Sequence, residues 1–362
     1  ADVIKIEPPS GDFWRYAGHF RNRGMSGQFM ATNRNKLSLA LDLKTDDGKE
    51  ILRRLVPTAD VLLSNIRPAA LARLGFGYEA CKALNPRLIY ASATGFGQDG
   101  PWAARPAFDE IIQASSGLAS SIGSDETPEF VPSLVADKLC GLALAGAISA
   151  ALVHRERTGQ GQLVEVPMLE TVAAFNSIEM LGGHAFEPPI GTPGYARMKE
   201  RRPVRTKDGW LTMLPYSSDN WCDFFEAVGH PECIEEFQVK DPVKRAATVD
   251  KLYARLSEIA LTRTTREWEE LLLRIDVPHS SFTKITEVSK QPHLEAVDLF
   301  ATLEHPSEGL LRQARPSARF SETPASIHRL PPRLGEHTRD LLLEVGYSAE
   351  DIDRLKRAHV VA

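Results

Sequence analysis

The sequence has few cysteines, and neither cysteine nor histidine forms a motif that would identify a metal site. The four cysteines are far apart and form no C-x-x-C pair, which argues against a disulfide framework or a zinc site and is typical of reduced cytosolic thiols. The ten histidines include no H-E-x-x-H motif, which argues against a metal hydrolase of that class. We therefore expect a cytoplasmic protein that holds no metal.

The chain also lacks an excess of positive charge and a long hydrophobic run. Its 362 residues carry a net charge of −5, whereas a broad nucleic-acid-binding face needs clustered positive charge. The longest apolar run, residues 139–153, is shorter than the roughly 20 residues of a membrane-spanning helix. This run predicts a buried core helix whose alanines and glycines let another backbone approach closely. We expect no nucleic-acid partner and no membrane.

Strands and helices alternate in the first half of the chain. This alternation predicts parallel βαβ units and an α/β fold with an open twisted sheet. The first strand already begins at the second residue, so we expect that an amino-terminal strand and helix are missing. The predicted strands are residues 2–6, 39–43, 60–64, 87–92 and 163–166, with helices from Thr45 and from Lys138 to about His154.

The composition changes after about residue 185. Residues 188–205 are rich in proline, glycine and arginine and predict a linker, and Lys207–Gly209 predicts a hairpin. We predict a large α/β domain over 1–190 and a small α+β domain over 191–300. Residues 301–362 are predicted to return to the large domain. Further helices are predicted at 219–228, 246–260, 266–275 and 334–346, and from about Ser348.

A glycine-rich turn follows the strand that is predicted to end at residue 92. Gly95, Gly97 and Gly100 have G-x-G-x-x-G spacing, but a dinucleotide site requires a helix to open at this turn. Pro101 and Pro106 delay the helix. The pattern therefore favours a tight turn that brings backbone N–H groups close to another kind of ligand.

One carboxylate, Asp137, lies immediately before the long apolar segment. It is a natural N-cap for the following helix, which would stabilise the helix by ~1 kcal/mol. A helix N-terminus also stabilises carboxylate charge and lowers its pKa, and an ionised, partly desolvated carboxylate can act as a nucleophile in covalent catalysis. The residues alone leave both interpretations open.

Basic and amide side chains form several groups. Residues 33–36, 42–44 and 65–67, together with Arg73, suit phosphate and adenine recognition, or are solvated surface charge. A further group of arginines is a weak indication of a dicarboxylate substrate such as succinate, and otherwise predicts a subunit contact or an exposed loop. These arginines are Arg197, Arg201, Arg202 and Arg205.

Several of these motifs, taken in order, resemble the class III CoA-transferases, a family that includes formyl-CoA transferase, carnitine CoA-transferase and the α-methylacyl-CoA racemases. The resemblance covers nearly the whole chain. The motifs are residues 33–36, 41–44, 65–68, 74–78, 95–101, 135–137, 158–162 and 334–338.

The resemblance implies a CoA-transferase that moves CoA between an acyl-CoA and a free carboxylate. Asp137 would attack the thioester, and Gly95 and Gly97 would approach the thioester oxygen through their backbone. The implied fold is a large Rossmann-like open-sheet domain with a smaller α+β domain, in an interlocked homodimer. The implied coenzyme A site comprises Leu41, Lys44, Asn65, Ile66, Arg73 and Leu74.

The sequence departs from the family pattern in three ways. Racemase members carry a histidine where this chain has Phe108, which cannot move a proton. The expected amino-terminal strand and helix are not in the sequence, and neither is the glycine-run loop of formyl-CoA transferase. The first departure favours transfer over a racemase-like isomerase. The second keeps open a protein that binds CoA without turnover.

Overall fold

The computed structural model describes residues 1–191 and 201–362. These residues form two compact units, which are described separately below. The large unit comprises Ala1–Ser177 and Val297–Ala362, and the small unit comprises Ile178–Ala296. The sequence predicted domain boundaries at 1–190, 191–300 and 301–362, and these boundaries stay a prediction.

Parallel strands form the framework of the large unit, as the alternation of elements predicted. Strand β1 (Val3–Glu7) pairs with β2 (Lys36–Ala40). Strand β4 (Ile89–Thr94) lies between β3 (Val61–Ser64) and β5 (Leu163–Pro167), again in parallel. Within the described part of the chain these are two small sheets. The fold is therefore mixed α/β, and a single Rossmann-like sheet is not confirmed.

Helices connect these strands. Helix α2 begins where the sequence predicted, because the Thr45 hydroxyl accepts a hydrogen bond from Gly48 N at 3.0 Å. Its inner face is buried through Ile51, Leu52 and Leu55. The helices up to residue 180 are α1 (Gly27–Thr32), α2 (Asp46–Leu55), α3 (Pro68–Arg73), α4 (Tyr78–Leu84), α5 (Asp109–Ser115), α6 (Leu118–Ile122), α7 (Val135–Thr158) and α8 (Met168–Met180).

Helix α7 differs from its prediction in length and in burial. It has 24 residues, and by length and composition alone it could cross a membrane, although core helices of soluble proteins pass the same test. Leu144 on its inner face packs against Ala91 of β4 and Val166 of β5. Only 22% of its most apolar part is buried. The expectation of a helix buried on all sides is therefore wrong for the isolated chain.

The small unit has an antiparallel sheet and an aromatic core. Strands β6 (Val204–Arg205), β7 (Trp210–Met213) and β8 (His279–Ser281) pair in that order, and the predicted hairpin at 207–209 is confirmed. Trp268 is fully buried, and its indole N–H donates to the Ala260 carbonyl at 2.8 Å. The helices are α9 (Ser218–Val228), α10 (Glu232–Glu236), α11 (Pro242–Ala247), α12 (Val249–Ala260), α13 (Thr265–Arg274) and α14 (Pro292–Ala296).

The carboxyl-terminal residues complete the core of the large unit. Strands β9 (Phe300–His305) and β10 (Gly309–Ala314) form a hairpin, and helices α15 (Thr338–Glu344) and α16 (Ala349–Arg357) follow. Helix α15 starts later than the predicted residue 334, because Gly335 adopts a φ of 67°. One hydrophobic cluster joins both parallel sheets to these helices. It includes Leu39, Tyr90, Leu342, Ile352 and Leu355.

A buried ion pair also ties the start of the chain to the return segment. The Arg15 guanidinium meets Glu7 of β1 at 2.6 Å, and both side chains are 1% exposed. A further Arg15 N–H donates to the Pro332 carbonyl at 3.2 Å. The ring of Phe29 lies 3.9 Å below the guanidinium carbon. The two charges therefore neutralise each other where no water reaches them.

Candidate active site

Asp137 lies in the first turn of α7, but it is not the N-cap of that helix. The N-cap is Leu134, which makes no side-chain cap hydrogen bond. The Asp137 backbone N–H instead donates to Oδ2 of Asp109 at 3.0 Å. The predicted capping role of Asp137 is therefore wrong, because a carboxylate from another helix satisfies this end of α7. Within the described residues, the Asp137 side chain is exposed and does not cap the helix.

Asp109, the first residue of α5, fixes the segment that leads into α7. Its side chain is 2% exposed, and its Oδ1 accepts a hydrogen bond from Nε2 of Gln113 at 2.6 Å. The amide oxygen of Gln113 in turn accepts from Val131 N at 2.9 Å. Asp109 and Gln113 thus hold both ends of residues 131–137, and the position of Asp137 depends on them.

The charges around Asp137 disfavour its ionised form. Asp137 is exposed in the isolated chain, yet partial burial of its carboxyl group raises the pKa, and the negative charges of Asp109 and Glu110 raise it further. The expectation that the helix N-terminus would lower this pKa is therefore wrong. A carboxylate with a raised pKa is the more basic nucleophile once it is ionised.

Cys140, three residues beyond Asp137 on the same helix, carries a thiol. It is 3% exposed, and burial raises the pKa of its thiol to about 11. Because only the thiolate is nucleophilic, this cysteine is inert at neutral pH. All four cysteines lie in described residues and none forms a disulfide.

The glycine turn after β4 packs closely against its own chain. Gly97 N donates to Oε1 of Glu170 in α8 at 2.8 Å. A Cβ at Gly95 would lie 2.4 Å from the Cβ of Ala107, two residues before Asp109. The glycines therefore permit a close approach within the protein, and the turn is not followed directly by a helix. An approach of this backbone to a thioester oxygen stays a prediction.

The residues predicted to bind coenzyme A lie after β2, after β3 and at the carboxyl end of α3, and they differ in exposure. Leu41 follows β2 and is 2% exposed in the core, so its side chain is not available to a ligand. Lys44, Asn65, Ile66 and Arg73 are exposed, and Leu74 is partly buried. Side chains in these loops can meet a ligand at this edge, where open α/β sheets bind ligands.

The loops after β3 and β4 are tied together. The Arg67 guanidinium donates to the Ala104 carbonyl at 3.2 Å, and the Arg105 guanidinium carbon lies 4.5 Å above the ring of Trp102. Trp102 in turn packs edge-on against Phe96. Two arginines thus stand at the edge of the sheet that also carries the glycine turn.

Other basic and amide side chains that were predicted to bind a ligand make contacts within the chain instead. The Asn33 amide donates to the Phe29 carbonyl at 2.9 Å, and Asn35 Oδ1 accepts from His328 N at 2.9 Å. In the small unit, Arg205 lies over Trp210 with 5.0 Å between the guanidinium carbon and the ring centre. Arg197 lies outside the described residues.

Phe108 occupies the N-cap of α5, immediately before Asp109. Its side chain is 70% exposed and has no group that can exchange a proton. The position therefore supplies apolar surface beside the carboxylates and no acid or base.

Sequence reasoning missed the roles of Asp109, Gln113 and Glu170. Asp109 and Gln113 are four residues apart on one helix, a spacing at which carboxylate and amide side chains meet. That signal was present in the sequence. The contact from Glu170 to Gly97 was not predictable, because it joins residues that are far apart in the chain. No group of three or more metal-binding side chains occurs within 1–191 and 201–362.

The comparison with known families places this chain among the CoA-transferases of the third family. Residues 1–338 match the family described as CoA-transferase family III, and the chain belongs to it. It is an enzyme of this family.

Curated relatives include the formyl-CoA:oxalate CoA-transferases of Escherichia coli and Shigella sonnei. Each is 29% identical to this chain over 387 residues, covering 100% of this chain and 93% of the relative. Solved structures of two proteins are also similar to this chain. The crystal structure of Rv3272 from Mycobacterium tuberculosis is 29% identical with a TM-score of 0.81, covering 94% of this chain and 91% of that one. A CaiB/BaiF family protein from Brucella suis is 28% identical with a TM-score of 0.79, covering 95% and 92%.

Proposed function

We propose that the protein transfers CoA between an acyl-CoA and a free carboxylic acid through a covalent intermediate on Asp137. The observation that carries the proposal is the Asp137 carboxyl at a helix start, held by Asp109 through its backbone and made more basic by partial burial and by its carboxylate neighbours. Positioning of this kind supplies the effective molarity that a weak nucleophile needs.

The exchange needs no oxidant or metal. An ionised oxygen of Asp137 attacks the thioester carbon, the C–S bond breaks, and a mixed anhydride and CoA thiolate result. The thiolate then attacks the aspartyl carbonyl carbon, giving an aspartyl-CoA thioester and releasing the first carboxylate. The acceptor carboxylate then attacks the aspartyl-CoA thioester, which forms a second mixed anhydride and releases CoA thiolate. The thiolate attacks the acyl carbon of the acceptor, which yields the new acyl-CoA and regenerates Asp137.

The coenzyme A site of the proposal comprises the loops after β2 and β3 and the carboxyl end of α3. The exposed Lys44, Asn65, Ile66 and Arg73 support it, since cationic and amide donors suit phosphate and adenine groups. Leu74 would pack beside them, and Leu41 would contribute only through its backbone. The backbone at Gly95 would stabilise charge on the thioester oxygen, and Gly97 could do so only by exchanging its hydrogen bond to Glu170 for one to the substrate.

The acceptor is proposed to be a small carboxylate, with a dicarboxylate preferred. The relatives named formyl-CoA:oxalate CoA-transferase support this preference. The proposal also includes the Rossmann-like large domain and the interlocked homodimer that the resemblance implied, and the cytoplasmic location that the cysteine pattern indicated.

Trapping of the covalent intermediate tests the proposal. We expect mass spectrometry after incubation with formyl-CoA or succinyl-CoA to find a hydroxylamine-sensitive adduct on the peptide that contains Asp137. Asp137→Asn and Asp137→Ala should abolish the adduct and lower CoA exchange with oxalate or succinate at least ~1000-fold. Glu110→Gln, which removes a neighbouring carboxylate, should keep the adduct.

Three results would count against the proposal. Full turnover by Asp137→Asn would end the nucleophilic role. Deuterium that enters the acyl α-carbon from solvent without an acceptor would favour the racemase-like isomerase, which the non-titratable Phe108 argues against. Thermal stabilisation by CoA with no exchange across a panel of acyl donors and acceptors would favour a CoA-binding protein without turnover.

A further inference from the structure

The first turn of α8 contacts the glycine turn at two of its glycines. Leu169 N donates a hydrogen bond to the Gly95 carbonyl at 3.0 Å, and Oε1 of Glu170 accepts one from Gly97 N at 2.8 Å. The first contact is made by the backbone of α8, whereas the second is made by a side chain. The attachment of the turn at Gly97 therefore depends on which residue stands at position 170.

The setting of the Gly97 contact favours a firm hydrogen bond. Gly97 is buried, so its N–H group needs an acceptor in the folded protein. Glu170 lies in the first turn of α8, where the helix dipole favours a negative charge. A charged acceptor makes a stronger hydrogen bond than a neutral one. The Glu170 carboxylate thus holds Gly97 against the start of α8.

The absence of a side chain at Gly97 permits this contact. An ideal Cβ at this position would lie 2.4 Å from Oε1 of Glu170 and 3.2 Å from Oδ1 of Asp99. Gly97 does not adopt a positive φ, so its backbone conformation does not require glycine. A methyl group at position 97 would therefore displace the Glu170 carboxylate from the N–H group that it accepts.

The glycine turn and the start of α7 share one small hydrophobic core. Phe96, which lies between the first two glycines of the turn, belongs to the cluster that also contains Ala136 and Val172. Ala136 directly precedes Asp137, and Val172 lies on α8. The cluster therefore joins the turn, α8 and the segment that carries Asp137. A movement of Gly97 away from α8 would change the placement of the turn relative to Asp137.

We propose that Glu170 is a positioning residue of the transfer reaction. The inference rests on the proposed function, in which Asp137 attacks the thioester and the backbone of the glycine turn stabilises the thioester oxygen. Glu170 occupies the Gly97 N–H and fixes the turn, so that the backbone at Gly95 meets this oxygen. Errors in such placement lower the rate of the chemical step and leave substrate binding largely intact.

Steady-state kinetics of three variants test this role. Glu170→Ala removes the acceptor, Glu170→Gln keeps an oxygen that can accept, and Glu179→Ala removes an exposed glutamate from the end of the same helix. We expect Glu170→Ala to lower kcat for CoA exchange about 10-fold to 100-fold, with KM for acyl-CoA within about 2-fold of the wild type. Glu170→Gln should restore kcat to within about 5-fold of the wild type, and Glu179→Ala should not change it.

Gly97→Ala breaks the same hydrogen bond from the other side. It should lower kcat by an amount similar to that of Glu170→Ala. The double variant should be no slower than the slower single variant, because one bond cannot be lost twice. Multiplied losses in the double variant would show that the two residues act independently, which overturns the proposal.

Hydrogen exchange measures the Gly97 hydrogen bond without reference to activity. We expect the peptide that contains Gly97 to exchange its amide hydrogens at least ~10-fold faster in Glu170→Ala than in the wild type, and Glu170→Gln to remain slow. Peptides from the rest of the chain should keep their wild-type exchange rates. This result would separate the loss of one bond from general unfolding.

The contrary outcomes are distinguishable. Wild-type kcat in Glu170→Ala overturns the positioning role, and an equal loss of kcat in Glu170→Gln overturns it by assigning the effect to charge. A raised KM with unchanged kcat overturns it by placing Glu170 in acyl-CoA binding. Unchanged hydrogen exchange in a slow Glu170→Ala variant also overturns it. A wild-type chain that transfers no CoA refutes the proposed function together with this role, whereas an active wild type with a fully active Glu170→Ala refutes the role alone.

Discussion

Two of the buried carboxylates of the large unit, Glu7 and Asp109, have opposite electrostatic surroundings. Glu7 is 3% exposed and Asp109 is 2% exposed. Glu7 meets a fork of two Arg15 N–H groups, at 2.6 and 2.8 Å. Asp109 meets no cation within the described residues and is held by the Gln113 amide and the Asp137 N–H. The first carboxylate is neutralised, whereas the second is placed beside two others.

The pKa values follow this difference. Burial raises the pKa of Glu7, but the Arg15 hydrogen bonds and charge, with the Asp12 N–H and the Ser38 hydroxyl, outweigh it, so the net pKa is lowered. Around Asp137, burial and the carboxylates of Asp109 and Glu110 act in the same direction, and its pKa is raised. A carboxylate that holds the fold together is paired, whereas one placed for chemistry is kept basic at a cost in stability.

The largest effect is expected from breaking the Glu7–Arg15 pair. Glu7→Gln leaves a buried arginine without its counter-ion, which should cost about 3–5 kcal/mol of unfolding free energy. Urea unfolding at about pH 7 measures this cost. Glu50→Gln breaks exposed pairs with Arg53 and Arg54 and should cost less than ~1 kcal/mol.

The same pair predicts a pH dependence with a defined sign. Because the pKa of Glu7 is lowered by folding, its contribution is present above the ordinary value of 4.5 and is lost as the pH falls through the folded value. The gap between wild type and Glu7→Gln should therefore shrink in acid. A gap that stays constant down to about pH 2 would mean that packing and not charge is responsible.

The next effect concerns the unpaired carboxylate. Asp109→Asn removes a negative charge beside Asp137 and weakens the hydrogen bonds that fix residues 131–137. We expect kcat to fall about 10-fold to 100-fold with little change in KM, since the loss is in nucleophile placement. The acid limb of the kcat/KM profile should also move to lower pH, because one cause of the raised pKa of Asp137 is removed.

Glu110→Gln separates charge from positioning. It removes the other carboxylate that raises the pKa of Asp137, but Glu110 makes no hydrogen bond to the α7 start. It should shift the acid limb in the same direction without the loss in kcat. Equal effects of the two variants on kcat would show that Asp109 acts through its charge alone.

The comparison also shows what the sequence could predict. The parallel strands, the Thr45 cap and the Lys207–Gly209 hairpin depend on residues close in the chain, so local patterns indicated them. The partners of Glu7 and Asp137 were not predictable, because tertiary packing chooses them. Capping was one of two roles that the sequence left open for Asp137, and Asp109 fills that role from another helix.

Helix α7 shows the same limit on a larger scale. Its composition indicated burial on all sides, and the described residues bury only its inner side. An apolar pattern predicts that a surface is buried, but it does not predict whether the same chain or another molecule buries it.

The smallest effect is expected at Asp137 itself, in stability and not in activity. Since folding raises its pKa, the ionised carboxylate destabilises the native state at neutral pH, and Asp137→Asn should raise Tm by a few degrees at most. The gain should vanish below the ordinary aspartate pKa of 3.8, where the wild-type group is protonated in both states. Calorimetry of the inactive variant from about pH 7 to about pH 3 measures this difference. A lowered Tm of Asp137→Asn at neutral pH would instead show that Asp137, like Glu7, stabilises the fold.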